Sequence, residues 1–271
     1  MNKNIKLIAL DLDGTLLVKR NISEKNLQAL RACIERGIQI ILVSGRPYCF
    51  TKMLAHKIGK NVGIIAANGA IYEIGNLYKE KTIKNDRIPL VVDTLKKYSS
   101  AHAFFKGKRE FYTHDGYDER FLYDHMNDLF SDDTKVHSNV NLSFEELKNK
   151  TRNILKVLVY DFDEENLNKL RKEIECIEDI SVTDYQKISF DINAAMIDKG
   201  KAIDEILQKL NIKHSEVMAF GDGNNDISMF QRVGISVAMG NASDEVKSYC
   251  DIITDDYRED GVANAIYKYI L

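Results

Sequence analysis

Two periodicities alternate along the first third of the chain. Short apolar runs, "IKLIAL" at 5–10, "IQIILV" at 38–43 and "VGIIAA" at 62–67, have the length and continuity of strands buried on both faces. Between the first two lies "SEKNLQALRACIERG" at 23–37, where Leu27, Leu30 and Ile34 share one helical face. Ser23 can cap that helix and Gly37 can close it. Pro47 suits a first helical turn, so "PYCFTKMLAHKIG" is expected to be helical. Strands separated by helices imply parallel pairing through right-handed crossovers, with helices on both faces of a doubly wound sheet.

The middle reads differently. "AIYEIGNLYKEKTI" at 70–83 has the form of a hairpin around Gly75-Asn76. "AHAFFKGKREFYTH" holds two apolar-aromatic runs around Gly107, and "RNILKVLVYD" reads as a strand ahead of an amphipathic helix at 164–177. "ISVTDY" and "KISFDIN" read as two strands of a meander. From 199 the strand–helix alternation resumes through "KGKAIDEILQKLN", "EVMAF", "ISVAMG" and "GVANAIYKYI". The expected fold is α/β: a discontinuous parallel-sheet core over 1–83 plus 191–271, with an inserted α+β domain over 84–190. No repeat or low-complexity segment interrupts it.

Composition narrows the classes. Of 271 residues, 44% are hydrophobic and 29% charged, the balance of a folded globular chain. A net charge of −3 gives no basic field to attract nucleic acid or an anionic membrane. The aromatic-basic stretch at 104–126 is interleaved with acids, so it is read as domain core plus a solvated face. No apolar stretch approaches the roughly 20 residues of a membrane span, and "MNKNIKLIALDLDG" lacks the long apolar core of a secretory signal. The four cysteines are widely spaced without a CxxC pair, which argues for a reduced, cytoplasmic setting. The six histidines show no HxH or HxxxH spacing.

In an open parallel sheet, ligands bind beyond the carboxyl ends of the strands. Polar residues collect at that edge: Asp11 and Asp13, Ser44 with Gly45, Asn68, and Asp222 with Asn225 and Asp226, joined by Lys199 where the core resumes. Asp11, Asp13 and Asp222 together would repel unless one took up a proton or a hard divalent cation, with Mg²⁺ the best match, lay among them. Ser44, the Gly45 N–H, Asn225 and Lys199 are donors suited to a tetrahedral dianion. Asp11 could attack phosphorus in line, and Asp13, facing the same way one strand repeat on, could protonate the leaving alcohol and then activate water. Gly14 and Thr15 would let the backbone approach the phosphate.

These segments also resemble a known family. "DLDGTLL", "LVSGRP", "DKGKAI" and "GDGNND" occur in the order of the four motifs of the haloacid dehalogenase superfamily. The insertion between the second and third motifs, and "NGA" after the third strand, are similar to its Cof-type members. The resemblance covers essentially the whole chain. It implies a Rossmann-like core with an α/β cap that sets specificity. It also implies Mg²⁺ as cofactor, Asp11 as nucleophile and metal ligand, and Asp13 as acid/base that gives the metal its backbone carbonyl. Asp222 becomes a metal ligand, with Asp226 supporting it. Leu12 (through its backbone), Ser44, Gly45, Lys199 and Asn225 become phosphate-binding, with Thr15 and Asn68 in support. Met196-Ile197-Asp198 ahead of Lys199 departs from the pattern common in the Cof type.

The expected activity is therefore a Mg²⁺-dependent phosphatase for a small phosphorylated metabolite: a sugar phosphate or a phosphorylated cofactor such as FMN or PLP. The chain is expected to act as a monomer or weak homodimer, with no nucleic-acid or membrane partner. A phosphomutase would use the same first motif. A phosphoacceptor signalling domain would also carry an acceptor aspartate, but it needs about half this length and no acid two residues past the acceptor. Bland readings exist for the parts: turn residues for Asp11 and Asp13, a helix cap for Ser44, a turn for Asn68-Gly69, a solvated helix start for Lys199 and a flexible loop for "GDGNND".

Overall fold

Leu7–Leu10 forms the first strand, β1, with all four side chains fully buried, as a strand flanked on both sides by others and covered on both faces must be. A small hairpin, β2 (Leu17–Val18) with β3 (Asn21–Ile22), follows, then β4 (Gln39–Val43), β5 (Gly63–Ala66), β6 (Ile71–Ile74) and β7 (Leu77–Glu80). The computed structural model describes residues 4–271, and at 184–186 the backbone alone; residues 1–3 of the expected core segment lie outside the described residues. The middle of the chain contributes β8 (His102–Lys106), β9 (Glu110–Thr113), β10 (His137–Asn139), β11 (Lys156–Tyr160), β12 (Ile180–Gln186) and β13 (Ser189–Ala194). The chain closes with β14 (Val217–Gly221), β15 (Ile235–Ala238) and β16 (Ile252–Ile253).

Two compact units result, one of 1–45, 54–78 and 198–271, the other of 46–53 and 79–197. The sequence pattern places the boundaries at 83/84 and 190/191 instead. The first unit holds an eight-stranded sheet in the order β16-β15-β14-β1-β4-β5-β6-β7. β1 runs parallel to β14 and β4 on its two sides, and antiparallel pairing begins only at β6. Central β1 thus delivers Asp11 to the carboxyl edge between two neighbours that end at the same level. Helices run over Glu24–Glu35 and Lys199–Leu210, each started by a cap: Ser23 accepts the Asn26 N–H, and Asp198 accepts the Lys201 N–H. One core packs Leu7, Ala9, Ile41, Val43 and Ile65 against Ile203, Ile206, Leu207 and Met229; burying each such side chain contributes about 1.5–3 kcal/mol.

The second unit has a six-stranded sheet in the order β10-β9-β8-β11-β13-β12, mostly antiparallel. Helices Ile88–Leu95, Phe144–Lys150 and Glu164–Glu175 bury their apolar faces against Ala103, Phe105, Val157, Val159, Phe190 and Ile192. By strand alternation the opposite face of this sheet carries Phe104, Lys106, Lys156, Leu158 and Asp191. The architecture is the α/β doubly wound, Rossmann-like core with an inserted α+β domain. The β2–β3 hairpin is a difference from the sequence reading: two residues per strand are too few to show a period. No helix among the described residues is long and apolar enough to cross a membrane.

Candidate active site

The site lies within the first unit, at the carboxyl ends of β1, β4, β5 and β14. Asp11 is the residue after β1; its N–H donates to the Phe220 carbonyl at 3.0 Å, and the residue is only 6% exposed. The chain then folds back sharply. The Leu12 carbonyl accepts N–H bonds from Thr15, Leu16 and Leu17, and Gly14 makes the turn at φ +77°. A Cβ at position 14 would overlap the Asp222 carboxylate, so glycine also serves close approach here. Asp13, half-buried, bridges to Leu17.

Lys199 enters from the first turn of its helix, 1% exposed, and donates to Asp11 Oδ1 and to Asp226 Oδ1, both at 2.6 Å. Asp226 Oδ2 accepts the backbone N–H groups of Asp222 and Gly223, both at 3.0 Å. Both Asp226 oxygens are therefore engaged in holding Lys199 and the 222–223 turn. Asp222 in turn accepts the Thr15 hydroxyl at 3.0 Å on Oδ1 and the Asn241 amide at 3.1 Å on Oδ2. The cap made by Asp198 answers the departure noted ahead of Lys199: this acid fixes the start of the helix that carries the lysine.

Ser44 is buried at the end of β4, where its N–H donates to the Ile65 carbonyl at 2.8 Å and its own carbonyl accepts the Asn68 N–H at 3.0 Å. Asn68 takes a left-handed conformation, φ +62°, which its short polar side chain tolerates. Gly45 follows Ser44 and is buried. Asn225 lies in the short turn Asn224–Asp226, half-buried.

Burial and the neighbouring carboxylates raise Asp11 well above the usual carboxylate range, although Lys199 acts against them. Asp222 is pushed up to about 7 by burial and by Asp226. Burial opposes the charge on Lys199, but Asp11 and Asp226 outweigh it and hold the ammonium above its usual range. Lys199 alone does not balance three acids. Carboxylate oxygens of Asp11, Asp222 and Asp226 lie within 4.8 Å of one another, an all-oxygen set that fits a hard divalent cation. The third carboxylate of this group is Asp226, and the Asp13 side chain is not among the three.

Comparison with known proteins agrees with this geometry. The family model of the haloacid dehalogenase-like hydrolases matches residues 8–266. The chain belongs to that family. Among curated relatives, the 5-amino-6-(5-phospho-D-ribitylamino)uracil phosphatase YcsE of Bacillus subtilis is 31% identical over 99% of this chain and 97% of its own. Phosphatase YwpJ of the same organism is 30% identical over 98% and 100%. A solved haloacid dehalogenase-like hydrolase from B. subtilis superposes with a TM-score of 0.83 at 29% identity, covering 98% of this chain and 100% of that one. The chain is thus a Cof-type hydrolase.

One residue of the constellation escaped the sequence reading. Asn241 spans the Gly14 carbonyl, at 2.9 Å, and Asp222, while its own oxygen accepts the Tyr257 N–H. The signal was present: "AMGNA" follows β15, one more strand end at the same edge.

Proposed function

We propose that this hydrolase is a cytoplasmic, Mg²⁺-dependent phosphatase that transfers the phosphoryl group of a small phosphomonoester to Asp11 and then to water. The observation that carries the reading is the buried Asp11 carboxylate, held through one oxygen by Lys199 beside Asp222. That hydrogen bond orients the carboxylate, while the second oxygen accepts no hydrogen bond among the described residues. Asp11 would attack phosphorus through it, breaking the bond to the leaving oxygen, which takes its proton from Asp13. Asp13 would then accept a proton from the water that releases Asp11. A divalent cation bound by Asp11 and Asp222 and the Asp13 carbonyl would neutralise the acids and draw charge from the phosphoryl oxygens. Ser44, the Leu12 and Gly45 backbone and Asn225 are the donors available to the remaining phosphoryl oxygens, and Lys199 adds positive charge beside them.

The second unit is proposed to select the leaving group. The B. subtilis relative named for a phosphorylated ribitylaminouracil supports a small metabolite as substrate. The test is phosphate release from a panel of sugar phosphates, PLP and FMN, with Mg²⁺ or with EDTA. Release is expected only with Mg²⁺, and Asp11→Asn should abolish it while leaving the circular dichroism spectrum unchanged. An isomerised sugar phosphate in place of free phosphate would point to a mutase. Robust turnover by Asp11→Asn would remove the covalent mechanism.

A further inference from the structure

The first unit draws its site from two pieces of chain that lie 27 residues apart at Lys199 and Asp226. Lys199 opens the helix Lys199–Leu210, and the turn that carries Asp222 and Asp226 leads into the short helix Ile227–Phe230. The Lys199–Asp226 ion pair, at 2.6 Å, joins them inside the site. Just outside it, the Gly200 N–H donates to the Ser228 hydroxyl at 3.2 Å. A first-turn donor that its own helix cannot satisfy is thus taken up by the other helix. The approach is close: a Cβ on residue 200 would overlap the Ser228 carbonyl and meet the Arg232 guanidinium.

Arg232 closes this contact. Its Nη1 donates to the Ser228 carbonyl at 2.9 Å, and its Nε donates to Asp204 Oδ2 at 2.6 Å, on the second turn of the Lys199 helix. One planar guanidinium therefore bridges the two helices at a fixed spacing. Asp204 is held at its other oxygen too, since His214 Nε2 lies 2.9 Å from Oδ1. The Arg232 and Asp204 side chains are 29% and 38% exposed, and ion pairs so open to water add little to stability. Their placement carries more weight. The bridge ties the helix that begins at Lys199 to the residue two places past Asp226, and a displacement of about 1 Å in such groups costs roughly 100-fold in rate.

We propose that Arg232 is a positioning residue for phosphoryl transfer, which sets the spacing between Lys199 and the Asp222–Asp226 turn by bridging Asp204 and the Ser228 carbonyl. It acts through these two residues and not by contact with the substrate. The inference rests on the phosphatase reading above, in which Lys199, Asp222 and Asp226 work around one phosphoryl group.

The test is a double-mutant cycle on the hydrolysis of p-nitrophenyl phosphate in saturating Mg²⁺. Arg232→Met should lower kcat by about 10- to 100-fold, with KM within about threefold of the parent and a small shift in the urea midpoint. Asp204→Asn should lower kcat as well, and the double variant should lose no more than Arg232→Met alone, because both act through one bridge. Arg232→Lys offers a point charge in place of the fork and should recover only part of the rate. Unchanged kcat in Arg232→Met, however far the urea midpoint moved, would overturn the proposal by reducing the bridge to a fold contact. Losses that multiply in the double variant would overturn it too. If Arg232→Met does not fold, Arg232→Lys decides: full kcat there would show that a single charge suffices and would end the proposal. A parent chain that releases no phosphate would count against the phosphatase reading instead. Calorimetric Mg²⁺ titration then decides for Arg232: an affinity about tenfold weaker in Arg232→Met supports the bridge, and an equal affinity overturns it.

Discussion

Lys106, buried at the end of β8, makes a prediction about stability. Its ammonium is held down to about 7 against an ordinary 10.5, first by burial and then by Lys156. At about 1.4 kcal/mol for each tenfold in protonation equilibrium, charging it in the folded chain costs up to about 5 kcal/mol. Relaxation of the surroundings trims that ceiling, so Lys106→Met, which keeps the length of the stem, should stabilise by about 2–3 kcal/mol at pH 6. For units of this size the gain corresponds to about 5–10 °C in the thermal midpoint. The sign follows from linkage. Above about pH 10.5 neither state of the chain holds the proton and the gain vanishes; it grows as pH falls and is complete below about 7. At pH 9 the difference between the two proteins should be less than about half of that at pH 6. The other groups acting on Lys106 are Asp191, Cys49 and Arg46, and burial pushes the Cys49 thiol up to about 12, so it stays neutral across this range. The assay is a pair of calorimetric melts, at pH 6 and pH 9, of the two proteins. A lower midpoint for Lys106→Met at pH 6 would refute the reasoning, because it would show that the folded chain already satisfies the ammonium.

Three further outcomes are expected. Asn241→Ala removes the amide that holds Asp222 Oδ2, and Mg²⁺ affinity measured by calorimetric titration should weaken by about 10- to 100-fold; an unchanged affinity would mean that Thr15 alone positions Asp222. Lys199→Met leaves Asp11 and Asp226 buried without their shared cation and should cost about 3–5 kcal/mol in urea unfolding. A stability equal to the parent chain would show that the ion pairs carry no net weight. Gly200→Ala places a Cβ against the Ser228 backbone carbonyl, which cannot swing aside as a side chain would. It should cost about 1–3 kcal/mol and lower turnover by shifting Lys199; full activity would mean that the helix start can move without consequence.

The main lines of the fold were legible because the strands of the first unit are buried on both faces. Continuous runs such as Leu7–Leu10 and Ile40–Val43 cannot be surface strands, and their order fixes a parallel sheet with a carboxyl edge. Asp11, Ser44 and Asp222 were legible for the same reason, since each interrupts or follows an apolar run at that edge. What could not be read was the pairing among them. That Asp226 holds Lys199 and the 222–223 turn depends on distances no spacing encodes, across 27 residues in one case and 188 in the pairing of Lys199 with Asp11. Lys106 was hidden for a different reason. In "AHAFFKGKREF" a lysine beside a glycine reads as a hairpin end in solvent, and only the register that places Lys156 opposite it, with Phe121 and Tyr123 above, shows that it is buried.

The two buried lysines can be set side by side. Lys199 and Lys106 are almost equally withdrawn from water, at 1% and 4% exposure, and both lose the hydration of an ammonium. Burial therefore pulls both in the same direction, and only their partners differ. Lys199 has two carboxylates at 2.6 Å, and its charge is locked on. Lys106 has another lysine across the strand and two aromatic rings beside it, and Asp191 offsets only part of what burial and Lys156 do to its charge. A chain selected only for stability would have replaced the second lysine with an apolar residue of the same length, since that change removes a cost and keeps the packing. The first lysine organises acids the protein already owns; the second is held close to its neutral form by burial and by the lysine across the strand.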